Sequence, residues 1–84
     1  MIDVEKATLP ELFQYAKKSI LDVRKDEIFL IRDLFRGIEW NRIDKGKRIK
    51  LGTLMNAFEL GDGSDLIKNE GKNHQNQTKY RKLK

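Results

Sequence analysis

The sequence predicts an α+β fold of the winged helix-turn-helix type, and three observations support this prediction. A T-x-x-E box begins an amphipathic helix near the start of the chain. A second amphipathic helix with a capping aspartate runs from Lys45 to Leu60. The end of the chain carries two strand-like runs around a polar turn. The predicted order is helix 1, strand, helix 2, helix 3 and a two-stranded wing.

Helix 1 is predicted from about Leu9 to Ile20. Thr8 and Glu11 form the capping box, and Pro10 lies in the first turn, where its missing N–H costs nothing. Apolar residues then recur on one face of this segment: Leu9, Leu12, Phe13, Ala16 and Ile20. Residues 1–7 alternate apolar and charged residues too briefly to assign. We therefore expect a flexible tail over 1–7 and a single domain over 8–84.

The next elements are shorter. The run from Glu27 to Ile31 is apolar and rich in strand formers, which indicates either a buried strand or the start of a longer helix. We favour the strand because Asp33 can cap a new short helix 2, from Leu34 to Arg36, that stops at Gly37. Residues 39–42 would then form the turn, with Trp40 and Ile43 packing it onto the core.

Helix 3 is predicted from Lys45, with Asp44 accepting hydrogen bonds from its first free N–H groups. Four apolar residues form its buried stripe: Leu51, Leu54, Met55 and Phe58. Gly61 is expected to end the helix in left-handed geometry. The opposite face carries Lys45, Ile49, Thr53 and Asn56, which makes it a plausible reading face for nucleic acid.

The wing is predicted from the last part of the chain. One strand spans Asp65 to Asn69, around Leu66 and Ile67, and the other spans Thr78 to Leu83. The polar tip over residues 71–77 has the sequence GKNHQNQ. Amides can bond to base edges and lysines to phosphates, so this arm suits a groove or a single strand. A disordered polar tail is the alternative for the tip.

Charge is distributed unevenly along the 84 residues, whose net charge is +5. Residues 1–40 carry 7 Lys and Arg against 8 Asp and Glu, while residues 41–84 carry 11 against 5. The positive field therefore belongs to the C-terminal half and favours a polyanionic partner. A domain this small is marginally stable alone, so we expect a monomer or a homodimer.

Composition also narrows the setting of the protein. The chain has no cysteine, which excludes disulfides and thiolate metal sites. No apolar run approaches the roughly 20 residues of a membrane span, and the first residues, MIDVEKATLPEL, lack the features of a signal peptide. We therefore expect a cytoplasmic protein with no membrane partner.

The basic cluster at the start of helix 3 is the main candidate site. Cations there oppose the positive end of the helix dipole, which argues for a phosphate ligand over a merely solvated face. Tyr80 is the better candidate for stacking on a base, whereas Trp40 is more consistent with the core. The candidate nucleic-acid-binding residues are Arg42, Lys45, Lys47, Arg48, Lys50, Thr53, Asn56, Lys72, Asn76, Gln77, Lys79, Tyr80 and Arg81.

Signals for catalysis are weak. His74 has no Cys, second His or carboxylate pair near it, so neither a metal site nor a triad can be assembled around it. Asp62 and Asp65 lack the further ligands of a calcium loop, and Gly71-Lys72 lacks the rest of a phosphate-loop signature. We therefore expect a non-enzymatic protein with no cofactor and no metal.

Residues 28–82 also resemble a known family. The resemblance is carried by Leu34-Phe35-Arg36-Gly37, Trp40-Asn41-Arg42-Ile43, Arg48-Ile49-Lys50-Leu51-Gly52, Phe58, Gly71-Lys72, Asn76-Gln77 and Tyr80. These residues resemble a small bacterial family of unknown function with a winged-helix-like fold. Some members resemble an accessory protein of mobile genetic elements that partners an A-family DNA polymerase in priming. The resemblance implies nucleic-acid handling and the polymerase as a further partner.

Three functions are consistent with these observations. The leading hypothesis is a DNA-binding winged-helix protein that grips phosphates with little sequence preference, on single strands or duplexes, and assists DNA replication. The second is a transcriptional regulator that reads duplex DNA through Lys45, Ile49, Thr53 and Asn56. The third is an adaptor or inhibitor whose basic face docks on an acidic or nucleic-acid-binding surface.

Overall fold

The computed structural model describes residues 3–84. Within this range the fold is α+β, with three α-helices and a three-stranded antiparallel sheet. The elements are α1 (Leu9–Ile20), β1 (Ile28–Phe29), a 3-10 helix (Ile31–Leu34), α2 (Gly37–Arg42), α3 (Lys45–Leu60), β2 (Ile67–Lys72) and β3 (Thr78–Lys82).

Helix α1 has the bounds that its sequence predicts. The Glu11 N–H donates to Thr8 Oγ1 at 3.3 Å, and the Thr8 N–H donates to Glu11 Oε1 at 2.9 Å. This reciprocal pair satisfies two of the N–H groups that a helix start leaves free. Leu12, Ala16 and Ile20 are fully buried, so the predicted apolar face is the packed face.

The residues before α1 pack on the domain. A turn covers Asp3 to Lys6, and the side chains of Val4 and Ala7 are buried in the core. The sequence prediction treated residues 1–7 as a flexible tail, of which Met1 and Ile2 lie outside the described residues. The two buried side chains are three residues apart, while those of Asp3, Glu5 and Lys6 are exposed, so one side of this turn faces the core.

The region between α1 and α3 differs most from its prediction. The strand is only Ile28–Phe29, because the chain turns into a 3-10 helix at Ile31. Asp33 does not cap a helix over Leu34–Arg36, which is absent; its carboxylate accepts the Leu30 N–H at 2.8 Å and so holds the 3-10 helix.

Helix α2 begins at Gly37, where the prediction ended it. Glu39 is the third helical residue and its Oε1 accepts the Arg36 N–H at 3.1 Å. Residues 39–42, predicted as the turn, are therefore helical, and the turn before α3 is only Ile43 and Asp44. Ile43 is buried and Trp40 packs against the core, as predicted.

Helix α3 starts and ends as predicted, with a different ending geometry. Asp44 accepts from the N–H groups of Gly46 and Lys47 at 3.0 and 3.4 Å. Gly61 has φ −118°, so the predicted left-handed ending is wrong. The tight position is Gly63, where an added Cβ would clash with the Phe58 ring. A close approach to that ring therefore excludes a side chain at residue 63.

The sheet has the order β1-β3-β2, with both pairs antiparallel. Strand β2 starts two residues later than predicted and continues to Lys72, while β3 matches its prediction to within one residue. The pairing becomes irregular between Asn69 and Lys72, where Gly71 has φ +90°. A bulge of this kind bends the strand and changes its twist. The hairpin tip that follows therefore changes direction relative to the base of the sheet.

One buried cation joins the sheet to α1. Lys82 is 4% exposed, and its Nζ donates to the carbonyl oxygens of Ile20 at 3.0 Å and Val23 at 2.8 Å. These carbonyls lie at and just beyond the end of α1, where a helix leaves acceptors free. Lys82 therefore works as part of the scaffold.

Candidate nucleic-acid interface

A groove of about 880 Å³ lies between α3 and the tip of the β2–β3 hairpin. Helix α3 contributes one face, at i, i+3 or i+4 spacing, with Lys45, Arg48, Ile49, Gly52, Thr53 and Asn56. The hairpin contributes Lys72, Gln75, Asn76, Gln77 and Thr78, and the remaining lining residues are Leu30, Ile31, Arg32 and Trp40. Seven of the sequence-predicted site residues therefore meet in one groove.

The charge of this groove has one sign. Its cations are Arg32, Lys45, Arg48 and Lys72, and none of the lining residues is Asp or Glu. Within the described part of the chain, none of these four side chains forms a salt bridge. Four uncompensated positive charges around one concave surface attract an anion more strongly than the same charges spread over a convex face.

Arg48 is held between the helix and Trp40. Its guanidinium carbon lies 5.8 Å from the centroid of the Trp40 ring, within cation–π range. Arg48 Nε is buried and has no hydrogen-bond partner among the described residues. Trp40 is half-buried against the Phe35 ring and also lines the groove, so it serves both the core and this surface.

Two amides in the groove are oriented from inside the protein. Asn56 Oδ1 accepts the hydroxyl proton of Tyr80 at 2.5 Å. Gln77 Oε1 accepts from Asn73 Nδ2 at 3.1 Å. Asn73 is itself fixed, because its Oδ1 accepts the N–H groups of Gln75 and Gln77 at 3.0 and 2.9 Å. The tip is thus an ordered turn with defined hydrogen bonds.

Other predicted site residues lie outside the groove. Arg42 Nε faces Glu5 Oε1 at 3.9 Å, and Lys47 Nζ donates to the Ala7 carbonyl at 3.0 Å. Arg81 Nε pairs with Glu70 Oε1 at 2.7 Å. Lys50 and Lys79 are not among the lining residues. Of the predicted basic cluster, Lys45 and Arg48 line the groove, whereas Arg42, Lys47 and Lys50 lie outside it. Lys47 and, in the wing, Arg81 have their side chains bonded within the protein.

Tyr80 requires the clearest correction. Its side chain is 0% exposed and packs beside Phe29, so its ring is not available for stacking on a base. The alternation of side chains along β3 turns Tyr80 inward with Lys82. Burial, with a contribution from the nearby Glu59 charge, raises the pKa of Tyr80 to about 12. The hydroxyl therefore keeps its proton and donates it to Asn56.

The predicted site residues leave out three polar residues of the groove, Arg32, Gln75 and Thr78. Arg32 lies at the 3-10 helix, in a stretch assigned to a strand and a helix cap, and it joins the groove because this helix packs against α3. Gln75 belongs to the polar tip whose amides are expected to bond to base edges, but it is not among the predicted site residues. The sequence signal for Arg32 is a cation three residues after the buried Phe29 of β1.

A second cavity, of about 540 Å³, lies between the N-terminal turn and α2. Its lining includes Glu39, which is 2% exposed. Glu39 Oε1 accepts from the Tyr15 hydroxyl at 3.4 Å, and this contact together with burial raises the pKa of Tyr15, with burial the larger cause. Charges of both signs line this cavity, so it lacks the uniform sign of the groove. Within residues 3–84, no group of three or more His, Cys, Asp or Glu is placed to hold a metal ion.

The described residues thus form a small α+β domain in which a basic groove separates a long helix from a β-hairpin. By sequence, the chain belongs to the family named Domain of unknown function (DUF1413), whose model matches residues 14–82. Comparisons with curated proteins and with solved structures found no match. Among the described residues, no helix has the length and hydropathy needed to cross a bilayer.

Proposed function

We propose that this protein is a non-catalytic winged-helix protein that binds nucleic acid in the groove between α3 and the hairpin. The order of elements, with α2 and α3 followed by the β2–β3 hairpin and β1 paired at the sheet edge, supports the winged-helix assignment. The observation that carries the proposal is that four cations from three separate segments line one groove without an acid.

The start of α3 adds to this attraction. Lys45 and Arg48 lie in the first turn of α3, and the positive end of a helix dipole favours an anion. Because Asp44 already accepts from the Gly46 and Lys47 N–H groups, the side chains are the main donors to a phosphate there. We propose that phosphates along the backbone, more than any base sequence, supply most of the affinity.

An accessory role in DNA replication beside an A-family polymerase is the second part of the proposal. It is supported by the sequence resemblance of residues 28–82 and by the absence of a catalytic constellation in the sequence. Arg42 and the cavity next to α2 lie outside the groove lining, so this side of the domain leaves a surface for a protein partner that nucleic acid in the groove would not cover.

Fluorescence anisotropy on labelled single-stranded and duplex oligonucleotides, at several salt concentrations, tests the first part. If four phosphates are neutralised, log K should fall against log salt with a slope of about −2.8 on single strands or about −3.6 on duplex DNA. Binding that depends little on sequence supports the proposal. A strong preference for one duplex supports a transcriptional regulator instead, and binding to neither form supports an adaptor.

A further inference from the structure

Besides its positive charge, the groove has two amide side chains whose orientation is fixed by hydrogen bonds inside the protein. The relevant residues are Asn56 and Gln77, whose amides lie on opposite walls. A free amide offers both an acceptor oxygen and a donor NH₂ group to a ligand. Each of these two amides has its oxygen already bonded inside the protein. What each presents to a ligand is therefore its NH₂ group.

The orientation of Asn56 follows from the burial of Tyr80. The Tyr80 hydroxyl is out of reach of water, and within the described residues its proton is accepted by Asn56 Oδ1. Turning the Asn56 amide around would place NH₂ against the hydroxyl and leave a buried proton without an acceptor. The Asn56 oxygen is thus held inward and its NH₂ group faces the groove.

The orientation of Gln77 follows from backbone donors. The N–H groups of Gln75 and Gln77 can only donate, so they fix Asn73 Oδ1 toward the backbone. Asn73 Nδ2 must then face Gln77, and it requires Gln77 Oε1 as its acceptor. Gln77 is left with its NH₂ group for an external ligand.

Building on the proposed function, we infer that the groove reads keto oxygens of unpaired bases through amide donors fixed by Tyr80 and Asn73. Arg32, Lys45, Arg48 and Lys72 add donors only. The other polar lining side chains, Thr53, Gln75, Asn76 and Thr78, each carry an acceptor oxygen beside a donor, so donors outnumber acceptors and the groove favours acceptor atoms on a ligand. The apolar side chains of Leu30, Ile31 and Ile49 provide contact for base faces, which a duplex hides. Thymine carries O4 where cytosine carries an amino group at the same ring position.

The test compares oligo(dT) with oligo(dC) of equal length, which share ring size and O2 but differ at C4, at N3 (N–H in thymine, a bare nitrogen in cytosine) and at C5 (a methyl group in thymine). The change of the affinity ratio between wild type and variant therefore carries the test. Anisotropy titrations at pH 8 should give wild-type affinity about 3- to 10-fold higher for oligo(dT), the range expected for one hydrogen bond. In Tyr80→Phe the Asn56 oxygen is released, so the ratio should fall below about twofold. The salt slope should stay unchanged, because the hydroxyl carries no charge.

Two further variants control this comparison. Tyr15→Phe removes a hydroxyl bonded to Glu39, outside the groove, and should keep the wild-type ratio. Asn73→Asp keeps the oxygen that the backbone requires but replaces Nδ2 by oxygen, so Gln77 must turn its NH₂ group inward. This variant should bind both oligonucleotides more weakly and also lose part of the preference. Because Asn73 lies in the tip, its variant tests the inference even if Tyr80→Phe fails to fold.

Equal wild-type affinity for the two oligonucleotides overturns the inference and leaves the proposed function standing. A ratio that is unchanged in both Tyr80→Phe and Asn73→Asp overturns it as well. If the wild type binds neither single strands nor duplexes, the proposed function itself fails and this inference fails with it.

Discussion

Lysine side chains are bonded to protein oxygens in one region of this protein and have no such partner in another. On the scaffold side, Lys82 donates to two carbonyls at the end of α1 and Lys47 donates to the Ala7 carbonyl. On the groove side, Lys45 and Lys72 form no hydrogen bond or ion pair within the described residues. A basic side chain that donates to a protein oxygen stabilises the fold. A basic side chain without such a partner is available to bind an external anion.

This difference is not a difference in position along the chain. Lys45 and Lys47 are two residues apart on α3, yet they point to different sides of the helix because each residue turns it by about 100°. Lys79 and Lys82 share β3 but differ in burial. The number of basic residues alone therefore overestimates the size of the binding surface. Substitutions can separate the cations that stabilise the fold from those that line the groove.

The largest effect is expected on the scaffold side, at Lys82. Lys82→Met keeps the length of the side chain but leaves the Val23 carbonyl without its donor and the Ile20 carbonyl with only the Val23 N–H, so the free energy of unfolding should fall by about 2 to 3 kcal/mol. Thermal and urea unfolding followed by circular dichroism measure this change.

Lys79→Met is the matched control for Lys82→Met. It removes the same charge from the same strand, at a side chain that forms no hydrogen bond or ion pair within the described range, so the expected change is about 0.5 kcal/mol or less. Equal decreases in the free energy of unfolding of the two variants would show that the buried hydrogen bonds of Lys82 add no stability beyond that of an exposed lysine.

Tyr80 is buried in the core and its hydroxyl contacts Asn56, which lines the groove. The pH dependence of stability tests whether this hydroxyl is buried. Its folded pKa of about 12 is raised above the ordinary value of 10.0, so the stability it contributes is present below pH 10 and is lost as the pH rises through 12. Wild-type stability should fall by roughly 2 kcal/mol more than that of Tyr80→Phe over this window.

Urea unfolding at pH 9, 10, 11 and 12 measures the titration of Tyr80. The Tyr15→Phe variant is the control, because the pKa of Tyr15 is also raised and its titration falls in the alkaline range. If the stability of wild type and of Tyr80→Phe falls equally over this pH range, the Tyr80 hydroxyl is exposed to solvent. Its hydrogen bond to Asn56 would then not fix the Asn56 amide.

A smaller effect is expected at Asp44, the one acid at the start of α3. Asp44→Ala removes the cap of the Gly46 and Lys47 N–H groups and should lower the free energy of unfolding by about 1 kcal/mol. Asp44→Ser keeps a capping oxygen and should recover most of this loss. Equal stability of the two variants would mean that the cap adds nothing to α3.

Local signals predicted the parts of the fold that depend on local chemistry. The capping box of Thr8 and Glu11 and the cap at Asp44 set the starts of α1 and α3, because each is satisfied within one helical turn. The bounds of α2 were missed because Gly37 and Asp33 each suit two roles, and the choice depended on Glu39 reaching Arg36 and Tyr15.

The part of the candidate site that depends on local sequence spacing was predicted, and the part that depends on distant contacts was not. The spacing of Lys45, Thr53 and Asn56 on one helical face is a local property, and these residues do line the groove. The partners of Arg42, Lys47 and Arg81 come from distant segments or another strand, so sequence spacing did not reveal that they are occupied. Tyr80 was misassigned because cationic neighbours in sequence lie on the other face of β3.

The most direct test of the proposed function compares two triple variants that lose equal charge. One replaces the groove cations Lys45, Arg48 and Lys72 by Gln, and the other replaces Lys18, Lys50 and Lys68, which are exposed and lie outside the groove. Each should change the free energy of unfolding by about 1 kcal/mol or less.

The measurement is the slope of log K against log salt for a labelled oligonucleotide. We expect the groove variant to flatten this slope by about two to three units, while the exposed variant keeps a slope within about one unit of wild type. Equal flattening in the two variants, or a groove variant that keeps the wild-type slope, would contradict the assignment of this groove as the nucleic-acid site.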